Sequence, residues 1–186
     1  TDPIGIFGTN VTLCLNSKTI KYTGAKDYAI LVDWDNRTSK NSGHLTLTDC
    51  SGNNAGTIKG GSSEVVELQA DSDLDMYGGT ITGSRKGVDF SSEGTEFNMH
   101  DGVITGNSGY GVYMTAGTFN MSGGAITGNG NGVHVNNDSR FPSTFNVNGA
   151  PTITNNGKDG TTKNVYLREG QTIHVTGAFT GTIGVT

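Results

Sequence analysis

Residues Phe119 to Val135 read FNMSGGAITGNGNGVHV, and the chain repeats that phrase on either side. Upstream, Phe97 to Met114 reads FNMHDGVITGNSGYGVYM and Leu74 to Phe90 reads LDMYGGTITGSRKGVDF. Downstream, Phe145 to Leu167 reads FNVNGAPTITNNGKDGTTKNVYL. The first-column residues Met76, Met99, Met121 and Val147 recur at steps of 23, 22 and 26. Ile81, Ile104, Ile126 and Ile153 follow at steps of 23, 22 and 27. Periods of this size mark stacked repeats. Within each unit three short pieces alternate apolar and polar residues between Gly and Asn punctuation, the pattern of strand, turn, strand. One unit has too little apolar surface to bury itself. Stacked about 4.8 Å apart, with each strand pairing in parallel to the one above, the units share one narrow core. The expected fold is all-β, a single-stranded right-handed parallel β-helix of about seven coils. Gly78, Gly123 and Gly149, with Asp101 in the same column, are expected at positive φ in the corners.

The repeats place one solenoid domain over residues 1–186. Residues 1–12 are expected to be a lead-in covering the open end of the first coil, since bare strand edges invite pairing. Residues 13–68 hold divergent first coils, interrupted by a loop over 33–43 that carries the only tryptophan, Trp34. Residues 74–167 hold the four regular repeats, with an insertion near 136–144, and 171–186 form the last coil. The opening TDPIGIFGTNVTL is expected of an excised or processed segment.

Composition narrows the function. Hydrophobic residues make up 32% and glycines number 30, which suits a thin solenoid better than a thick globular core. A net charge of −5 without a basic stripe argues against nucleic acid as partner. No apolar run approaches the roughly 20 residues that cross a bilayer, so no membrane insertion is expected. Cys14 and Cys50 are the only cysteines. They are either separate thiols at coil edges or a disulfide joining neighbouring coils, which would fit a secreted protein.

GGAI at Gly123 to Ile126 and Phe-x-x-Asn at Phe145 to Asn148 resemble the short repeats of chlamydial polymorphic outer-membrane proteins, autotransported adhesins with β-helical passengers. VTLCLNSKTI (Val11 to Ile20), LTLTDCSGNNAGTI (Leu45 to Ile58), the repeated FNMxGGxITGN and NVYLREGQTIHVTG (Asn164 to Gly177) are similar to another group still more closely. That group is the pectate-lyase-like β-helix regions of cell-surface proteins from gut Firmicutes. The resemblance covers nearly the whole chain and implies an extracellular bacterial location, on the cell surface or secreted, and adhesion. A fold by itself does not fix a function.

Among residues that could carry chemistry, Asp71, Asp73 and Asp75 alternate along an extended segment and form a weak calcium candidate. They lack the Gly and distant Glu of an EF-hand loop, and a solvated turn explains them better. Glu93, Glu96, His100 and Asp101 crowd one connection. The Gly-His-Gly and paired-Asp strings of polygalacturonase-like enzymes are missing, so no catalytic residue is assigned and no cofactor is expected. If Val112, Val133 and Val165 face inward, then Tyr113, His134 and Tyr166 point outward on successive coils, with Asp89 one coil earlier. With Trp34 they form the candidate ligand-binding set, a flat ridge suited to sugars or protein hot spots. Ordinary ladder stacking accounts for the same column. The outward Asn98, Asn120 and Asn146 could form a hydrogen-bonded ladder. The Thr82, Thr105, Thr127 and Thr154 array raises ice binding as a remote alternative. The expected activity is therefore non-catalytic binding by a monomer to a host or matrix glycan or glycoprotein, or a structural stalk. A polysaccharide lyase or glycoside hydrolase is the alternative.

Overall fold

A computed structural model describes residues 2–33, 42–136, 141–157, 161 and 163–185. Among them every regular element is a strand. A first strand, β1 (Ile4–Phe7), precedes six turns. These are β2 (Asn10–Cys14), β3 (Thr19–Lys21) and β4 (Tyr28–Asp33); β5 (His44–Thr48), β6 (Thr57–Lys59) and β7 (Glu64–Leu68); and β8 (Asp73–Thr82) with β9 (Lys86–Phe90). Then come β10 (Glu96–Thr105) with β11 (Tyr110–Met114); β12 (Gly117–Met121), β13 (Ala125–Thr127) and β14 (Asn131–Val135); and β15 (Ser143–Gly149), β16 (Thr152–Thr154) and β17 (Val165–Leu167). β18 (Ile173–Phe179) and β19 (Thr182–Ile183) lie on top. All ladders are parallel, and each strand pairs with its equivalent one turn away. The chain is a parallel β-helix.

Three faces result. Faces 1 and 2 form one 12-stranded sheet, because β8 and β10 run through the corner and belong to both, and face 3 is a separate 7-stranded sheet. The repeat columns seen in the sequence are the internal files. Phe97, Phe119 and Phe145 stack with centroids 4.8 and 5.0 Å apart and planes within 11°. Met76, Met99 and Met121 lie in register beside them, and Ile81, Ile104, Ile126 and Ile153 form the face 2 file. All are fully buried or nearly so. Period-two alternation delivers these side chains inward wherever a strand is straight.

Between faces 1 and 2 the chain turns through a left-handed residue at Gly79, Gly102 and Gly124. These sit one position after Gly78, Asp101 and Gly123, none of which is left-handed, whereas Gly149 is left-handed as expected at φ 63°. At Gly102 a Cβ would lie 2.6 Å from the Met76 methyl and 2.9 Å from the Gly79 carbonyl, so the corner excludes any side chain. The stretch expected as a cap contains β1, which adds a layer to face 3 by pairing with β4. Trp34, with the rest of residues 34–41 of the 33–43 loop and residues 137–140 of the 136–144 insertion, lies outside the described residues.

Cys14 and Cys50 are joined in a disulfide with their Cα atoms 5.8 Å apart, linking the first two turns. Closing the 36-residue separation is worth about 4 kcal/mol on a chain-entropy account. Beside it, buried Asp49 accepts N–H bonds from Gly56 (2.7 Å), Ser17 (2.8 Å) and Ser51 (3.2 Å). The Gly56 bond, opposed by burial and helped by the serines, holds its pKa at about 2. An unfolded aspartate titrates near 3.9, so the stabilisation is complete above about pH 4 and is lost as pH falls toward 2. Thermal midpoints measured across that window should drop, and Asp49→Asn should flatten the drop while lowering the plateau.

Candidate functional site

Face 3 carries the most concentrated chemistry. Its strands place two adjacent residues inward, as with Gly87-Val88 and Gly111-Val112, and leave the flanking positions outside. Two outward columns follow. One runs Tyr28, Glu64, Lys86, Tyr110 and Asn131; the other runs Glu67, Asp89, Tyr113, His134 and Tyr166. The column expected from the sequence is therefore brought together in the expected register.

The rings are packed closely. Tyr113 and His134 are stacked at 4.9 Å and 22°, His134 and Tyr166 at 4.8 Å and 20°. Tyr110 adds a fourth ring, tilted against Tyr113 at 4.9 Å and edge-on to His134 at 5.3 Å. Ring faces are turned toward one another along the solenoid axis, so the column shows solvent its edges and polar tips. It is a ridge of stacked rings with a row of hydrogen-bonding groups outermost. Burial, aided by Arg168, pulls the His134 pKa below its ordinary value. The neutral imidazole stacks between the phenols without a charge to solvate. Tyr166, at 46% exposure, is the open end of the row.

The other end is ionic. Lys86 Nζ lies 5.0 Å from the Tyr113 centroid, 2.9 Å from Glu64 Oε1 and 2.5 Å from Asp89 Oδ2. Burial pushes Asp89 up to about 6, with Lys86 opposing and Glu64 and Glu67 adding repulsion. Glu67 is also raised, chiefly by burial, while it accepts a bond from Gln69. The sequence reading missed this group because its members come from two coils.

Face 1 holds a second polar set. Asn98 donates to Asp75 (2.9 Å), Asn120 to Asn98 (2.8 Å) and Asn146 to Asn120 (2.8 Å), so the outer ladder exists. His44 approaches Asp73 (3.8 Å) and Asp75 (3.4 Å) from the turn below. Burial and then the Glu96 carboxylate raise Asp73. Asp71 sits in the preceding turn at φ 57°. Among the described residues no group of three or more His, Cys, Asp or Glu is disposed to hold a metal ion. The threonines of face 2 lie in register, with Lys59 continuing their column below Thr82.

A second ladder, unanticipated, is buried between faces 2 and 3. Asn107, Asn129 and Asn156 repeat after each Ile-Thr-x pair, and each side chain bonds the next. The signal was present as TGN, TGN and TNN, but Gly-Asn reads first as turn chemistry.

The chain matches no protein-family model, no curated protein and no solved structure.

Proposed function

We propose that this chain is a non-catalytic binding module of an extracellular bacterial surface protein, and that face 3 engages a host or matrix glycan or glycoprotein. One observation carries the reading: four rings converge on face 3, three of them in single file at 4.8–4.9 Å. Tyrosine edges offer an apolar body and a hydroxyl at once, and rings already locked by stacking lose little entropy on binding. The resemblance to bacterial surface β-helices supports the location. Glycan and host-protein arrays probed with the protein should return a ligand whose affinity falls about tenfold or more, or 1.4 kcal/mol, in the Tyr113→Ala/Tyr166→Ala double variant. Undiminished binding by that variant would exclude face 3.

The Glu64–Lys86–Asp89 group favours a second reading, a carbohydrate-active enzyme, because perturbed carboxylates gather at catalytic sites. Incubation with acidic polysaccharides separates the two. Unsaturated products or new reducing ends would defeat the non-catalytic reading.

A further inference from the structure

The environment of Lys86 has a chemical outcome that binding does not use. Its Nζ touches Asp89 Oδ2 at 2.5 Å and Glu64 Oε1 at 2.9 Å, and the three side chains are only 14%, 15% and 8% exposed. The Tyr113 ring lies 5.0 Å from the same nitrogen. Asp89 Oδ1 is buried without a hydrogen-bond partner, which leaves that carboxyl half satisfied. An amine pressed against a carboxyl group, with a second carboxylate on the same nitrogen and little water, is set up for condensation by proximity alone.

We propose that Lys86 and Asp89 join in an intramolecular isopeptide bond, with Glu64 moving the proton. Glu64 takes one proton from the Lys86 ammonium, leaving a neutral amine. The amine lone pair attacks Cγ of protonated Asp89, forming the C–N bond. The tetrahedral centre then expels its hydroxyl, which leaves as water with a second proton from the nitrogen. Glu64 finally releases its proton to solvent, so no oxidant or co-reactant is needed. The Asp89 pKa of about 6 keeps a share of the acid protonated near neutrality, as the leaving hydroxyl requires. Burial pulls the Lys86 ammonium down, although its contacts with Asp89 and Glu64 outweigh that pull while both are ionised. Protonating Asp89 removes one of them.

The bond would lock the two-inward-residue kink at Gly87-Val88 and tie Asp89 to the outer side of face 3. Glu64 is the positioning and proton-transfer residue.

Intact mass spectrometry of the folded chain, with the Cys14–Cys50 disulfide reduced, tests this directly. The protein should be one water lighter than its sequence. Trypsin should cut after Arg85 but not after Lys86, and the peptide starting at Lys86 should carry the loss. Glu64→Gln, which keeps both bonded partners, should return the full mass with an unchanged far-ultraviolet spectrum, and Lys86→Arg should do the same. Full mass in the unaltered protein after prolonged incubation near pH 6, where Asp89 is half protonated, overturns the proposal. So does a cross-link mapped to Glu64 in place of Asp89.

Discussion

Phe119→Ala should lower the unfolding free energy by about 3–5 kcal/mol, read as a shift in denaturant midpoint. The ring is fully buried and lies between Phe97 and Phe145, so its removal empties the middle of a file that neighbouring side chains cannot refill. A solenoid has no second layer to collapse inward, and coil five is coupled to both its neighbours. The comparison is Phe179→Ala. That ring sits on the outermost strand at 38% exposure and should cost under about 1 kcal/mol. Equal costs at the two positions would mean that the Phe file is not a continuous core.

Asn129→Ala should cost about 3 kcal/mol, although the side chain is small and polar. Its Oδ1 accepts from the backbone N–H of Asn107 (3.1 Å) and from Asn107 Nδ2 (3.0 Å). Its Nδ2 donates to the carbonyls of Ile104 (2.9 Å) and Thr127 (3.2 Å) and to Asn156 Oδ1 (3.0 Å). Deletion orphans a backbone donor at a site that is 1% exposed, where water cannot substitute. Asn120→Ala removes an equivalent rung from the half-buried outer ladder and should cost under about 1 kcal/mol, because water replaces the lost partner. Chemical denaturation of the pair gives the difference, and similar values would show the inner ladder to be hydrated.

The core was legible because strict alternation in Phe-Asn-Met and x-Ile-Thr maps one residue type onto one direction. The Tyr113, His134 and Tyr166 column was legible for the same reason once the valines were assigned inward. What escaped notice broke alternation or crossed coils. Lys86 and Asp89, three apart on one strand, should face opposite sides at period two, and only the paired inward residues Gly87-Val88 bring both outside. Glu64 joins them from the coil below, and that register depends on the length of the connections between coils. The corner shifted by one residue, from Gly78 to Gly79, because Gly-Gly leaves the left-handed position undetermined until the Leu15 side chain crowds it. The file of rings on face 3 was readable, but the edge-outward attitude of the rings required their interplanar angles.

The single bridge between Cys14 and Cys50 makes the molecule mechanically lopsided. Tension along the axis detaches a solenoid one turn at a time from its extremities, because each turn grips only its neighbours. Drawn from the amino end, the peptide comes free as far as Cys14; the load then jumps across the sulfur atoms to Cys50, and the intervening segment is shielded. Cys14 and Cys50 being the only cysteines, the later turns carry no such latch. Under traction in an oxidising medium the segment between the two sulfur atoms should stay unextended while the later turns unravel, and a reductant should release it.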